Sequence, residues 1–227
     1  MSEPCLLALD AASDRLCIAV AAGGRVALRE LAPARAHTSA VFRLACDTLQ
    51  EAGAGIADLD AVAFGCGPGS FTGVRVVAAA AQAIGFARDI PVCRVSSLRL
   101  LAASTNHPVG TGAIGVCVDA RMGRVYAGLY TAGGERCGDE VWAEPSALQW
   151  PGVEPFMAVG DGWGAWPALL ARFAPRIAAV DVSLLPAARR LLDLAREEYR
   201  AGRGVAAAAA LPEYLGQMPA QPAHIAR

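Results

Sequence analysis

The densest chemistry in this chain lies in Phe64-Gly65-Cys66-Gly67-Pro68-Gly69-Ser70-Phe71-Thr72-Gly73-Val74-Arg75. Gly65, Gly67 and Gly69 permit positive φ and the close approach of another surface, and Ser70 stands where a following helix would take its N-cap. The free N–H groups of such a helix start favour an anion or a carbonyl. A phosphate, a partner protein and a plain sharp turn are all compatible with that pattern. A P-loop needs Lys after its last glycine, but Val74 follows Gly73 and the chain contains no Lys. A dinucleotide fingerprint counted from Gly67 and Gly69 needs Gly or Ala at Thr72, and a nucleophile elbow on Ser70 needs Gly where Pro68 stands. Direct phosphate binding therefore ranks behind a structural turn or a protein contact. Ser70 and Cys66 have no His at an identifiable spacing, which leaves a hydrolase without its base. The 7 Cys are odd in number, have no CxxC pair and sit mostly in apolar runs, so neither a disulfide framework nor a zinc site is expected.

The elements that position this stretch follow from hydrophobic periodicity. An apolar run over 59–64 reads as the strand before the glycines, and small apolar residues over about 71–87 as the helix after them. Upstream, strands over 5–9, 16–21 and 26–31, joined by Asp10-Ala11-Ala12-Ser13-Asp14 and Gly23-Gly24, form a meander. A helix with Val41, Leu44, Ala45, Thr48 and Leu49 on one side follows, with Thr38 or Ser39 as cap and Gly53 as stop. Downstream lie a strand over 91–95 and a short helix to about 103, capped by Ser96 or Ser97. The order is βββαβαβα. Past 106–111 it starts again, with strands over 113–118, 125–130 and 137–142, a helix over 146–150, a strand over 157–160, a helix over 163–173, a strand over 177–182 and a helix over 184–199. Asp10-Ala11 with Arg15 matches Asp119-Ala120 with Arg124, and Ala22-Gly23-Gly24 matches Ala132-Gly133-Gly134 one residue out. The expectation is an α/β chain of two similar lobes, 1–105 and 106–183, with a cleft between their first hairpins. A last helix over 184–203 is free to cross back onto the first lobe, and 204–227 form an extended tail.

A duplicated βββαβαβα unit is the architecture of the actin-like ATPase (ASKHA, ribonuclease H-like) superfamily, where the first hairpin of each lobe serves the nucleotide phosphates. Asp10, Ser13 and Asp119 occupy those places, yet Ala11 and Ala120 put side chains where a phosphate needs bare backbone, so the positions read as vestigial. The bland reading of the two Asp, that each caps its own hairpin turn, is preferred.

Composition bounds the rest. At 227 residues, 55% hydrophobic and 18% charged, the chain can bury a sizeable core in one large or two small domains. Its net charge of -1 and its scattered Arg give no basic run for a nucleic-acid backbone. The longest uncharged stretch, 100–118, contains Ser104, Asn106 and Pro108, so no membrane span is expected; nor is a secretory signal, and the expected location is cytoplasmic.

Gly67-Pro68-Gly69-Ser70-Phe71-Thr72-Gly73-Val74-Arg75, with Asp119-Ala120-Arg121-Met122-Gly123-Arg124-Val125-Tyr126 and Val159-Gly160-Asp161-Gly162-Trp163, resembles the TsaB (YeaZ) family. The resemblance runs from Leu7-Ala8-Leu9-Asp10 to Glu213-Tyr214-Leu215. It implies a non-catalytic scaffold subunit, without protease activity, in the machinery that forms N6-threonylcarbamoyladenosine (t6A) at A37 of tRNAs reading ANN codons. It further implies a heterodimer with the same-fold transferase TsaD, binding of that pair by the ATPase TsaE, a homodimer when alone, and contact with tRNA only through the complex. ATP and the divalent metal would belong to the partner subunits, with no cofactor held by this chain alone. The paralogue's metal motif has two His four apart; His37, His107 and His224 have no such spacing. The partner-binding residues expected are Gly69, Ser70, Phe71, Thr72, Gly73 and Arg75, together with the small-residue ridge Gly73, Val77, Ala81 and Gly85 of the following helix. The chain departs from the family pattern at Cys66, often a basic residue, and at Leu215-Gly216-Gln217-Met218, where an Arg and Asn pair is common. The alternative function is a small-molecule kinase of the same superfamily, which would need a working phosphate cleft.

Overall fold

The computed structural model describes residues 3–36, 38–105, 112–150 and 155–216; His37, His107 and His224, and the tail past Gly216, lie outside them. Strands β1 (Leu6–Asp10), β2 (Leu16–Ala22) and β3 (Arg25–Leu31) form the antiparallel meander. Helix α1 (Val41–Glu51), strand β4 (Ala61–Gly67), helix α2 (Phe71–Arg88), strand β5 (Val92–Ser96) and helix α3 (Ser97–Ala103) complete the first unit. β4 and β5 continue the sheet in parallel, in the order β3-β2-β1-β4-β5. The second unit comprises β6 (Ala113–Arg121), β7 (Arg124–Thr131), β8 (Val141–Ala143), β9 (Phe156–Val159), α4 (Gly162–Ala165), α5 (Pro167–Phe173), β10 (Ile177–Asp181) and α6 (Ala188–Arg200). Its sheet runs β8-β7-β6-β9-β10, the same order as the first, so the duplication is real.

Several elements differ from expectation for local reasons. The predicted helix over 146–150 is only a 3-10 turn, Pro145–Ala147, and the third strand of the second unit starts at Val141 rather than 137. The helix expected over 163–173 is two helices, because Pro167 has no N–H to continue the first and instead opens the second. The last helix begins at Ala188, two residues past Pro186. α1 starts from Ala40 without a side-chain cap, after a 3-10 turn at Thr38–Ala40.

Every residue of β1 and β2 is buried, since both faces of the first sheet are covered. Alternation sorts the side chains by size. Leu7, Leu9, Leu16, Ile18 and Val20 face α1 and α2, while Ala8, Cys17, Ala19, Ala21 and Ala63 face α6. The small-residue face lets α6 lie close, with Leu191, Leu192 and Ala195 against it. α3 does the reverse. Its Leu98, Leu101 and Ala102 pack on Ile114, Val116, Tyr130, Met157 and Val159 of the second sheet. Each unit therefore sends its last helix onto the other's sheet. Arg99 of α3 fastens the exchange, donating from Nε to the Gly134 carbonyl (3.0 Å) and from its Nη atoms to Glu197 (2.7 Å) and Glu198 (2.9 Å) of α6. The outer face of the second sheet is filled by Trp150, Phe156, Trp163 and Phe173, whose ring centroids stand 5.5–6.1 Å apart.

Candidate functional site

β4 ends at Gly67 (φ +98°), and Ser70 caps α2 by accepting from the Gly73 N–H at 3.3 Å, as its position in the sequence suggested. The hairpin between β1 and β2 reaches this helix start. The Ser70 N–H donates to the Ala12 carbonyl at 2.7 Å. A Cβ on Gly69 would sit 2.3 Å from that same oxygen, and one on Gly73 only 1.9 Å from the Ala11 oxygen. The turn between β1 and β2 is thus pressed, backbone first, onto the N-terminus of α2. The Ala12 carbonyl engages the Ser70 N–H, while Gly69, Ser70, Phe71, Thr72 and Gly73 still face the cleft between the two hairpins.

Asp10 holds the other side of this contact. It is fully buried, accepts from the Ala12 N–H (3.3 Å) and from the Ser97 hydroxyl (3.2 Å), and lies where any side chain on Gly65 would collide, 1.7 Å from its Oδ1. Ser97 Oγ in turn accepts from the Gly67 N–H at 3.2 Å, so a single chain of hydrogen bonds joins the hairpin, the glycine-rich loop and the start of α3. Burial raises the Asp10 carboxyl to about 6, against the lowering effect of those two donors. Ser13 Oγ accepts from the Arg15 N–H at 3.1 Å. Asp119 accepts from the Arg121 N–H at 3.1 Å and pairs with its guanidinium at 3.0 Å. Asp10, Ser13 and Asp119 therefore brace their own turns.

Between the two hairpins lies a cleft of about 760 Å³, walled by Ser13, Asp14, Ser70, Asp119, Tyr126 and Asp161. The second unit repeats the first at its far wall: Gly160 (φ +102°) follows β9, and a Cβ there would come 2.4 Å from the Cys117 carbonyl. Asp161 Oδ1 accepts from the Asp119 N–H at 2.9 Å. Asp14 stands on the first hairpin's side of the cleft and Asp119 and Asp161 on the second's, with Arg121 also in the lining and paired to Asp119. Among the described residues, no three His, Cys, Asp or Glu are grouped to hold a metal ion.

The residues expected to meet a partner divide in two. Phe71 (58% exposed), Thr72 and Arg75 are on the surface, Ser70 is exposed and Gly69 half-buried. Gly73, Val77, Ala81 and Gly85 are buried, which corrects the ridge assignment. That ridge packs within the chain: a Cβ on Gly85 would lie 2.5 Å from Val92 Cγ2 and 3.3 Å from Ala207 Cβ. Small residues here bring α2 close to its own sheet and to the returning C-terminal segment. The outward stripe of α2 is instead Phe71, Arg75, Ala79, Ala83 and Phe86 (83% exposed), beside Phe42 (51% exposed) on α1.

Four residues make contacts that the sequence does not assign to them. Ser97 reads only as a possible helix cap, and Gly65 as a site of close approach with no partner named. Glu213 and Tyr214 read as part of a tail. The Glu213 N–H donates to the Cys66 carbonyl at 2.7 Å, its carboxylate meets Arg94 at 3.4 Å, and the Tyr214 hydroxyl accepts from Arg75 Nε at 2.9 Å. The signal available was Tyr214 itself, an aromatic in a tail rich in Ala. Cys66 is buried beneath this segment, and burial pushes its thiol up to about 12.

A family model described as TsaD: tRNA N6-adenosine threonylcarbamoyltransferase matches residues 30–158. A curated relative, tRNA threonylcarbamoyladenosine biosynthesis protein TsaB of Escherichia coli, is 33% identical over 92% of this chain and 94% of its own length. The chain belongs to the TsaB family. A second TsaB, from Haemophilus influenzae, is 31% identical over 95% of this chain and 94% of its own. Among solved structures, YeaZ from Pseudomonas aeruginosa superposes with a TM-score of 0.81 at 35% identity, covering 94% of this chain and 100% of that one. A further Pseudomonas aeruginosa structure, described as an uncharacterized protein with similarity to peptidase YEAZ, gives 0.82 at the same identity. The two sheets with their shared order are those of the actin-like fold, and in this TsaB-family chain the first hairpin packs backbone first onto the start of α2.

Proposed function

We propose that this chain is the non-catalytic scaffold of t6A formation, pairing with and activating a TsaD-type threonylcarbamoyltransferase that modifies A37 of ANN-decoding tRNAs. The observation that carries this reading is the seating of Ala11 and Ala12 on the N-terminus of α2, which takes up the Ser70 N–H and brings hairpin backbone to where a phosphate would approach. ATP and a divalent metal then belong to the partners, the transferase and the TsaE-type ATPase that binds the pair. The tRNA is met through the complex, in the cytoplasm; no helix among the described residues is long and apolar enough to cross a membrane. Family membership supports the pathway, through relatives whose names place them in threonylcarbamoyladenosine biosynthesis.

The docking face follows from exposure. α1 and α2 lie on the same side of the first sheet, and their outward faces carry Phe42, Phe71 and Phe86, large apolar side chains left in water. A partner of the same fold has two matching helices to set against them, and in its absence a second copy of this chain takes the same place. The peptidase mentioned for one neighbour finds no support in the two nucleophiles: Ser70 Oγ is engaged as the helix cap, and the Cys66 thiol is buried and hard to ionise.

Binding of the purified chain to the TsaD-type subunit of its own organism, followed by calorimetry, tests the reading. Phe42→Asp is expected to abolish binding while leaving the thermal midpoint unchanged, since that residue is half in solvent. Undiminished affinity in the folded variant refutes the docking face. Tight ATP binding by the isolated chain would favour the kinase alternative.

A further inference from the structure

The segment 211–216 does more than trail from the fold. It is fastened at one end where Glu213 bonds the Cys66 carbonyl and Arg94, and at the other where the Gly216 backbone lies on Trp142, so closely that a Cβ would come 2.7 Å from the ring. Trp142 is itself covered by the guanidinium of Arg124 at 4.6 Å. Between these fixed points stands Tyr214, 44% exposed, 6.4 Å from the Phe71 ring. Arg75 lies over Phe71 at 3.4 Å and over Tyr214 at 5.7 Å, with Nε bonded to the Tyr214 hydroxyl. An exposed arginine ordinarily keeps its rotamer freedom. This one has lost it to three contacts, while its terminal Nη atoms take no hydrogen bond among the described residues.

We propose that Tyr214 and Phe71 hold Arg75 as a preorganised cationic anchor that receives a carboxylate of the partner subunit, so that the C-terminal segment is part of the docking surface. The inference rests on the pairing proposed above and adds to it the tail and the chemistry of the opposing group. A guanidinium with Nε already committed presents its Nη edge, which matches one carboxylate in bidentate fashion. A phosphate would call for further positive groups, and Arg94, the cation that meets the same C-terminal segment, is paired with Glu213. Ordering the anchor before encounter lowers the entropy lost on binding.

The experiment compares four variants of the full chain against the TsaD-type subunit by calorimetry, with and without ATP, each variant first checked for an unchanged melting midpoint. Arg75→Ala is expected to weaken Kd about 30-fold or more, as for removal of one partner of an interfacial charge pair. Tyr214→Ala is expected to weaken it about 5- to 10-fold through loss of the stack and hydrogen bond. In the double variant the Tyr214 change should cost nothing further, because it acts only through Arg75. Phe42→Asp is the control for the docking face. If it abolishes binding while Tyr214→Ala and Arg75→Ala bind as the native chain does, the anchor is refuted and the face stands. If Phe42→Asp binds normally, the face itself is refuted. Additive losses at Arg75 and Tyr214 would overturn the positioning role of the tail. An Arg75 effect seen only with ATP present would assign the anion to a phosphate and overturn the carboxylate.

Discussion

Gly73→Ala is the most direct test of how the glycine-rich motif works. Gly73 is the third residue of α2, and in a helix freely exposed to solvent this change would stabilise the protein by up to about 1 kcal/mol. The structure reverses the sign. The new methyl would lie 1.9 Å from the Ala11 oxygen and 2.9 Å from its carbonyl carbon, atoms of backbone that have no rotamer by which to move aside. The hairpin must therefore lift from the helix start. Overpacking of this kind costs about 1–3 kcal/mol, and loss of the Ser70 to Ala12 hydrogen bond about 1 kcal/mol more. After the helical gain is set against these, the net destabilisation is about 2 kcal/mol. For a chain of 227 residues that is a fall of about 4–8 °C in melting midpoint. Urea unfolding monitored by far-UV circular dichroism measures it. A midpoint equal to or above that of the native chain would refute the claim that the motif is glycine-rich because backbone packs there. The same result would remove the seating on which the proposed function rests.

Two further outcomes follow from buried charge. Asp10 has a folded-state value of about 6 against an ordinary value near 4, so the folded chain binds its proton more tightly than the unfolded one. Its contribution is accordingly most favourable below about pH 4 and is lost as pH rises to 6, by about 3 kcal/mol over that window. Asp10→Asn should flatten this part of the pH profile of urea-derived stability, and an unchanged slope in the variant would show that Asp10 is not its source. Arg99→Ala removes the guanidinium that joins α3, α6 and the Gly134 carbonyl, with Glu198 only 12% exposed beneath it. The expected cost is about 2 kcal/mol, reduced from the fully buried case because Glu197 is half in solvent and Arg203 still partners Glu198. Glu197→Gln should cost under about 1 kcal/mol, and thermal melts that rank the two changes the other way would contradict this account.

The sequence by itself determined the α/β class, the repeated order of the strands, the cap at Ser70 and the turn-bracing roles of Asp10 and Asp119, but it read a helix over 146–150 where only a 3-10 turn stands. These depend on periodicity and on residues near one another in the chain, and so they can be read locally. It left open what each helix packs against. The ridge of Gly73, Val77, Ala81 and Gly85 is equally suited to a neighbouring sheet or to a partner, and only the placement of β5 and the 3-10 turn at Ala207–Ala209 against Gly85 decides for the former. The same holds for α3 and α6. Their apolar faces are evident, but that each lies on the other unit's sheet depends on the mostly small face of β1 and β2, Leu6 apart, meeting Leu191 and Leu192 across more than a hundred and fifty residues. At the start of α2 the sequence shows free N–H groups, and the structure engages the Ser70 N–H with the Ala12 carbonyl of the first hairpin and the Gly73 N–H with Ser70 Oγ. The first of these contacts spans more than fifty residues and carries no local signal.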